Sequence, residues 1–245
     1  MATASSLPPQ CSPAVEAHLL GTIDFQRCLQ VQQRLIDEVG SRDDGQIVLL
    51  LCEHPPVITV GRGGSPGDVA SESRMVRTGQ IQVHWVNRGG GCLVHCPGQL
   101  AVYLMVPQRW HAITVGEYAR RLQAALLATL ADVNITAHTL PGRHGVWGRS
   151  GQLAALGVAV RHWVAYYGAY VNVCPSMGLF RLVQTDPWQQ TKMSSLAAER
   201  GGHVKMTAVR AAMVSRLAEA FHCDRCHLHT GHPLLRDADA LRSRS

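Results

Sequence analysis

The chain has 245 residues, 46% of them hydrophobic, and a formal net charge of +6 at pH 7. That size and apolar content suit one domain with a full core, and no apolar run reaches the eighteen or so residues that span a bilayer. Aromatic residues make up only 5% and no Lys/Arg run exceeds two residues, so the positive charge gives no support to a nucleic-acid surface.

The start is rich in Ala, Ser and Pro, and its first Lys or Arg is Arg27. It has neither the basic start of an export signal nor the arginines of a transit peptide. The expectation is a cytoplasmic protein with one domain over residues 14–235 and flexible ends at 1–13 and 236–245. The eight cysteines are then expected as reduced thiols.

In chain order, Phe25, Cys28, Leu29, Gln32, Leu35, Ile36 and Val39 step by three and four, which predicts an amphipathic helix ending at Gly40. Residues 47–52 and 57–60 read as buried strands around the turn at Pro55 and Pro56, followed by a flexible loop over 61–68. Ile81, Val83 and Trp85 alternate as a half-buried strand leading into Arg88, Gly89, Gly90, Gly91, Cys92, Leu93, Val94, His95, Cys96, Pro97 and Gly98. Consecutive glycines there leave main-chain N–H groups open to a ligand.

Residues 100–106 form another strand. Thr114 and Glu117 have capping-box spacing ahead of a helix whose apolar stripe runs from Val115 to Val133. Strands follow at 145–147, 152–160 and 166–173, with a last helix over 207–221. Strands cluster centrally and helices do not alternate with them, so an α+β fold is expected: a mixed or antiparallel sheet with its helices on one side.

The segment from Arg88 to Gln99 resembles the RGG-x-x-x-x-H-x-PGQ signature of the lipoyl(octanoyl) transferases. Further segments match in order: Glu53-His54-Pro55-Pro56-Val57, Gly145-Val146-Trp147, Ala154-Ala155-Leu156-Gly157-Val158, Tyr167-Gly168-Ala169-Tyr170-Val171-Asn172-Val173 and Met193-Ser194-Ser195-Leu196. The resemblance implies the lipoate/biotin protein ligase fold. It also implies octanoyl transfer from acyl carrier protein to a lysine of a lipoyl domain, in a 2-oxoacid dehydrogenase or the glycine cleavage H protein. No cofactor or metal is implied, because a thioester donor is already activated, and no nucleic-acid or membrane partner is expected. The family's acyl surface corresponds to residues 88–95, to Ala155, Leu156 and Gly157, and to Gly168, Ala169 and Tyr170, with His54 lining the pocket.

The same comparison places Asp186, six residues after Phe180, where the family has its nucleophilic cysteine. Gln152 stands where the family has the lysine that tunes it. A carboxylate attacking a thioester gives an anhydride far uphill, and Gln152 cannot stabilise a thiolate. Three readings stay open: a binder without turnover, Asp186 as general base for direct attack by the acceptor lysine, or a relocated nucleophile at Cys96, with Cys92 second.

Near the C-terminus, Cys223, Cys226, His227 and His229 form a CxxCH cluster with haem-attachment or zinc spacing. The default there is a helix end running into a histidine-rich turn with unliganded thiols.

Overall fold

The computed structural model describes residues 13–185 and 192–235. The strands are β1 (Ala14–Thr22), β2 (Ile47–Glu53), β3 (Val57–Val60), β4 (Gln82–Trp85), β5 (Cys92–His95), β6 (Gln99–Pro107), β7 (Gly145–Gly148), β8 (Gly151–Arg161), β9 (Val164–Asn172) and β10 (Arg225–Thr230). The helices are α1 (Phe25–Ser41), α2 (Arg74–Arg77), α3 (Gln108–His111), α4 (Val115–Asp132), α5 (Leu196–Arg200) and α6 (Met206–Ala220). A mixed seven-stranded sheet has the order β10-β1-β2-β6-β9-β8-β7, and a three-stranded sheet the order β4-β3-β5. No described helix is long and apolar enough to cross a membrane.

Alternation along β2 and β6 assigns their side chains to two cores. Ile47, Leu49, Leu51, Leu100, Val102 and Leu104 pack with Leu122 and Leu126 of α4 and Met213 and Leu217 of α6. Val48, Leu50, Cys52, Ala101, Tyr103 and Met105 pack with Val31, Leu35 and Ile36 of α1. The expectation of helices on one side is therefore corrected: α1 covers the opposite face from α4 and α6, because β2 is apolar from Ile47 to Cys52 and needs cover on both faces.

Two strands escape the hydrophobic pattern. β1 lies between β10 and β2, parallel to both. β10, taken in sequence for a histidine-rich turn, is an exposed edge strand held by main-chain pairing to β1. The capping box is half formed. Thr114 Oγ1 accepts from the Glu117 N–H, but the Glu117 carboxylate turns to Arg120 and Arg121 instead.

Beside β8, Glu199 of α5 is buried and its carboxylate accepts from the Arg149 and Ser150 N–H groups at 3.0 and 2.8 Å and from the Ser150 hydroxyl. Burial pushes its pKa up, but the Ser150 and Arg149 donors outweigh that and hold it at about 2. A pKa depressed on folding stabilises fully above the unfolded value near 4.5 and is lost as pH falls towards 2. Glu199→Gln is expected to lower stability at neutral pH and to flatten the acid limb between those values. Denaturant midpoints measured across pH 2 to 7 check both.

Candidate functional site

The glycine segment folds as a loop braced on three sides. Arg62 N–H donates to Arg88 O, Gly63 N–H to Gly90 O and Gly89 N–H to Val158 O, at 2.9 to 3.0 Å. The turn after β3, expected to be flexible, is thus tied to the glycines. Gly90 has φ +84°, a left-handed conformation that favours glycine. A Cβ on Gly91 would stand 2.5 Å from Thr185 O, so only glycine admits that close approach. The N–H groups of Gly90 and Gly91 have no acceptor among the described residues.

Arg88 fixes the loop from behind. It is 1% exposed. Its Nη1 donates to Gly89 O and Gly91 O, and its Nη2 to Thr59 O and Thr59 Oγ1. Its Nε has no partner among the described residues. Burial lowers its pKa, partly offset by the neighbouring Tyr170, Tyr167 and Tyr103.

In front of the loop lies a cavity of about 620 Å³, within the roughly 300–1,000 Å³ typical of small-molecule sites. Arg88, Gly89, Gly90, Gly91 and Leu93 form one wall, and Gln152, Ala155, Leu156, Gly157 and Val158 of β8 another. Val115 and Ala119 of α4 and Trp147 of β7 close it, while Arg62, Arg143, His144 and Thr185 add polar groups. Val115, placed by its periodicity in the core stripe, is 47% exposed because it faces this hollow. A larger hollow of about 670 Å³ beside Glu16, His18, His229 and His232 touches no segment of the family signature.

Several expected site residues sit behind the cavity. Gly168, Ala169 and Tyr170 belong to β9, between β6 and β8, and a Cβ on Gly168 would collide with Val102 O. His95 is 1% exposed, with Nδ1 donating to Gln99 Oε1 and Nε2 accepting from the Thr59 hydroxyl. Gln99 Nε2 donates onward to Asn172 Oδ1, and Asn172 Nδ2 to Ser194 O. Burial, with the neighbouring His54 and Arg88, pushes the His95 pKa well down, so this hydrogen-bond chain runs through a neutral ring. His54 donates from Nδ1 to Ile23 O, and its Nε2 accepts from the Tyr103 hydroxyl. Burial lowers its pKa to about 4.

The cysteines of the loop point away from the cavity. Cys92, Val94 and Cys96 pack with Ile58, Val60 and Phe180 in a separate small core. Burial pushes both thiols up to about 11, leaving about one thiolate in ten thousand at pH 7. Gln152 lines the cavity, and its Nε2 donates to Ala154 O at 3.2 Å. Asp186 lies outside the described residues; Thr185, which precedes it, lines the cavity.

At the C-terminal cluster, Cys223 is buried, whereas Cys226, His227 and His229 alternate along exposed β10. They do not gather into a metal-sized group; among the described residues only Cys28, Cys52 and His54 do. Lining residues that the sequence did not assign to the cavity include Arg62, Val115, Ala119, Arg143, His144 and Trp147. Trp147 was within reach, because it belongs to a matched segment.

The arrangement of elements is that of lipoate-protein ligase A bound with ATP, with a TM-score of 0.76, 14% identity and 95% of each chain covered. The bipartite lipoate protein ligase of Thermoplasma acidophilum, from a structural analysis of an archaeal lipoylation system that includes its E2 lipoyl domain, gives a TM-score of 0.68 at 16% identity, covering 95% of this chain and 93% of that one. The fold is therefore that of the lipoate-protein ligases.

Residues 24–218 match the lipoyl protein ligase A/B catalytic domain. The octanoyltransferase of Geotalea uraniireducens (strain Rf4) is 37% identical over 197 residues, which cover 80% of this chain and 88% of that relative. The chain belongs to the octanoyltransferase family.

Proposed function

We propose that this chain binds an octanoyl or lipoyl group, delivered as a thioester on acyl carrier protein or carried by a lipoyl domain, without forming an acyl-cysteine intermediate. The observation that carries this is the cavity lining. It joins Leu93, Val115, Ala119, Trp147, Ala155 and Leu156, which suit an alkyl chain, to the Gly90 and Gly91 N–H groups, which have no acceptor among the described residues and suit a carbonyl, and no described cysteine takes part. Arg62 and Arg143 provide positive charge for a carrier whose thioester arm or surface is anionic.

A second reading is direct transfer, favoured by the position of Thr185 in the lining immediately before Asp186. The acceptor amine attacks the thioester carbonyl, the Gly90 and Gly91 N–H groups stabilise the oxyanion, and Asp186 takes the amine proton as the carrier thiol leaves.

Mass spectrometry after mixing with octanoyl-acyl carrier protein and a lipoyl domain tests both readings. Binding with no covalent adduct is expected. An octanoyl increment on any cysteine peptide of this chain would overturn the proposal. Octanoylated lipoyl domain, lost in Asp186→Asn and formed without an adduct, supports direct transfer.

A further inference from the structure

On the α1 face of the large sheet, behind the glycine loop, two sulfurs and an imidazole converge. Cys28 comes from the first turn of α1, Cys52 from β2 and His54 from just beyond that strand. Their ligand atoms all lie within 4.8 Å of one another, and each residue is at most 1% exposed. Cys52 Sγ is 3.6 Å from His54 Nε2. A tetrahedral zinc ion, with sulfur at about 2.3 Å and nitrogen at about 2.0–2.1 Å, sets that edge at roughly 3.6 Å.

The imidazole is already oriented as a ligand. His54 Nδ1 donates to Ile23 O at 2.8 Å, which leaves the lone pair on Nε2, the nitrogen facing Cys52. Such a carbonyl bond is the usual device that fixes the tautomer of a metal-ligating histidine. The Phe25 ring packs edge-on against the imidazole and holds its plane. The Tyr103 hydroxyl, 2.8 Å from Nε2, stands in position to supply a fourth, oxygen donor. Two thiolates around a divalent ion make a centre with no net charge, which a site closed to solvent tolerates.

We propose that Cys28, Cys52 and His54 form a structural site for a thiophilic divalent ion of the zinc type, with the neutral Tyr103 hydroxyl completing the shell. Loading releases two thiol protons to solvent and replaces the Tyr103-to-His54 hydrogen bond with a metal–nitrogen bond; no group is oxidised or reduced. Sulfur and imidazole donors select zinc or cobalt over magnesium or calcium. Entry is through the first turn of α1, since helix ends open at lower cost than the strands beneath. The bound ion ties α1 to β2.

The test is a cobalt(II) titration of the reduced, metal-free full chain. One equivalent is expected to produce a near-ultraviolet sulfur-to-cobalt charge-transfer band with intense visible bands of tetrahedral cobalt. Zinc should displace it and, at a hundredfold excess over its Kd, raise Tm by about 5–10 °C. Cys28→Ala and Cys52→Ala should each abolish the charge-transfer band, while the double variant Cys223→Ala/Cys226→Ala retains it. Because a truncated buried cysteine can unfold the domain, zinc X-ray absorption on the unmodified protein gives an independent reading, expected to show two sulfur ligands. A missing band at stoichiometric cobalt, a zinc shell without sulfur, or a band lost only in the Cys223/Cys226 variant would each overturn the site.

Discussion

Ala119→Trp is expected to weaken binding of octanoyl-acyl carrier protein by about a hundredfold while moving Tm by no more than a few degrees. Ala119 is half-buried on α4 and faces the cavity, so an indole there occupies alkyl space without entering either core. An octanoyl chain buries seven carbons beyond its carbonyl, a gross gain of about 5–6 kcal/mol at about 0.8 kcal/mol per methylene. Displacing half of it costs about 3 kcal/mol, or roughly two orders of magnitude in Kd. The ligand can be shortened instead. A butyryl thioester lacks four methylenes and should bind to the unaltered protein about 200-fold more weakly. Calorimetry with both carriers on both proteins checks this, and equal affinity for the two chain lengths would remove the hydrocarbon from the site.

Where a residue lies along the chain was more legible than the direction its side chain faces. The helical stripe behind Thr114 and the apolar run of β2 announce α4 and the sheet centre because burial imposes a period, or removes it when both faces are covered. β10 gives no such signal. Its six residues are all exposed and its conformation comes from pairing with β1, a strand more than two hundred residues away in sequence. The cysteine and histidine spacing there has the form of a zinc or haem site, although the default reading is unliganded thiols in a turn, and a strand sends alternate side chains to opposite faces.

The same limit governs the site. Family resemblance located the glycine loop and the middle of β8, and both line the cavity. It did not show that Cys92 and Cys96 turn into a separate small core or that Gly168 is there to let β9 pack against β6. Nor did it show that His54 and His95 are neutral rings with both nitrogens engaged. Side-chain facing depends on strand register and on which sheet lies behind, and both are set by residues distant in sequence. A histidine or cysteine within a matched segment therefore gives a position without giving a role.

Arg88→Met should show how far the site depends on a group that is nearly closed to solvent. The guanidinium is the common partner of Thr59 O, Thr59 Oγ1, Gly89 O and Gly91 O, so it joins β3 to both ends of the glycine turn. Among the described residues no carboxylate pairs with it; the loop carbonyls solvate the charge. Methionine fills similar volume, removes the charge and takes the side-chain donors away from Gly89 O and Thr59 Oγ1, while Gly91 O keeps the Gly61 N–H. Each unpaired buried acceptor costs about 1–3 kcal/mol, reduced wherever cavity water can reach it. A net loss of about 3 kcal/mol corresponds to a Tm drop of about 6–12 °C for a chain of this size. Lysine should rescue little, because an ammonium cannot place donors on β3 and on both glycine carbonyls at once as the planar fork does. Octanoyl binding should fall in both variants, since Gly89, Gly90 and Gly91 form a wall of the cavity that keeps its shape only while the loop is braced. Thermal melts and binding measured on the same preparations separate the outcomes: an Arg88→Lys protein with unaltered Tm and unaltered affinity would show that the loop holds its own shape.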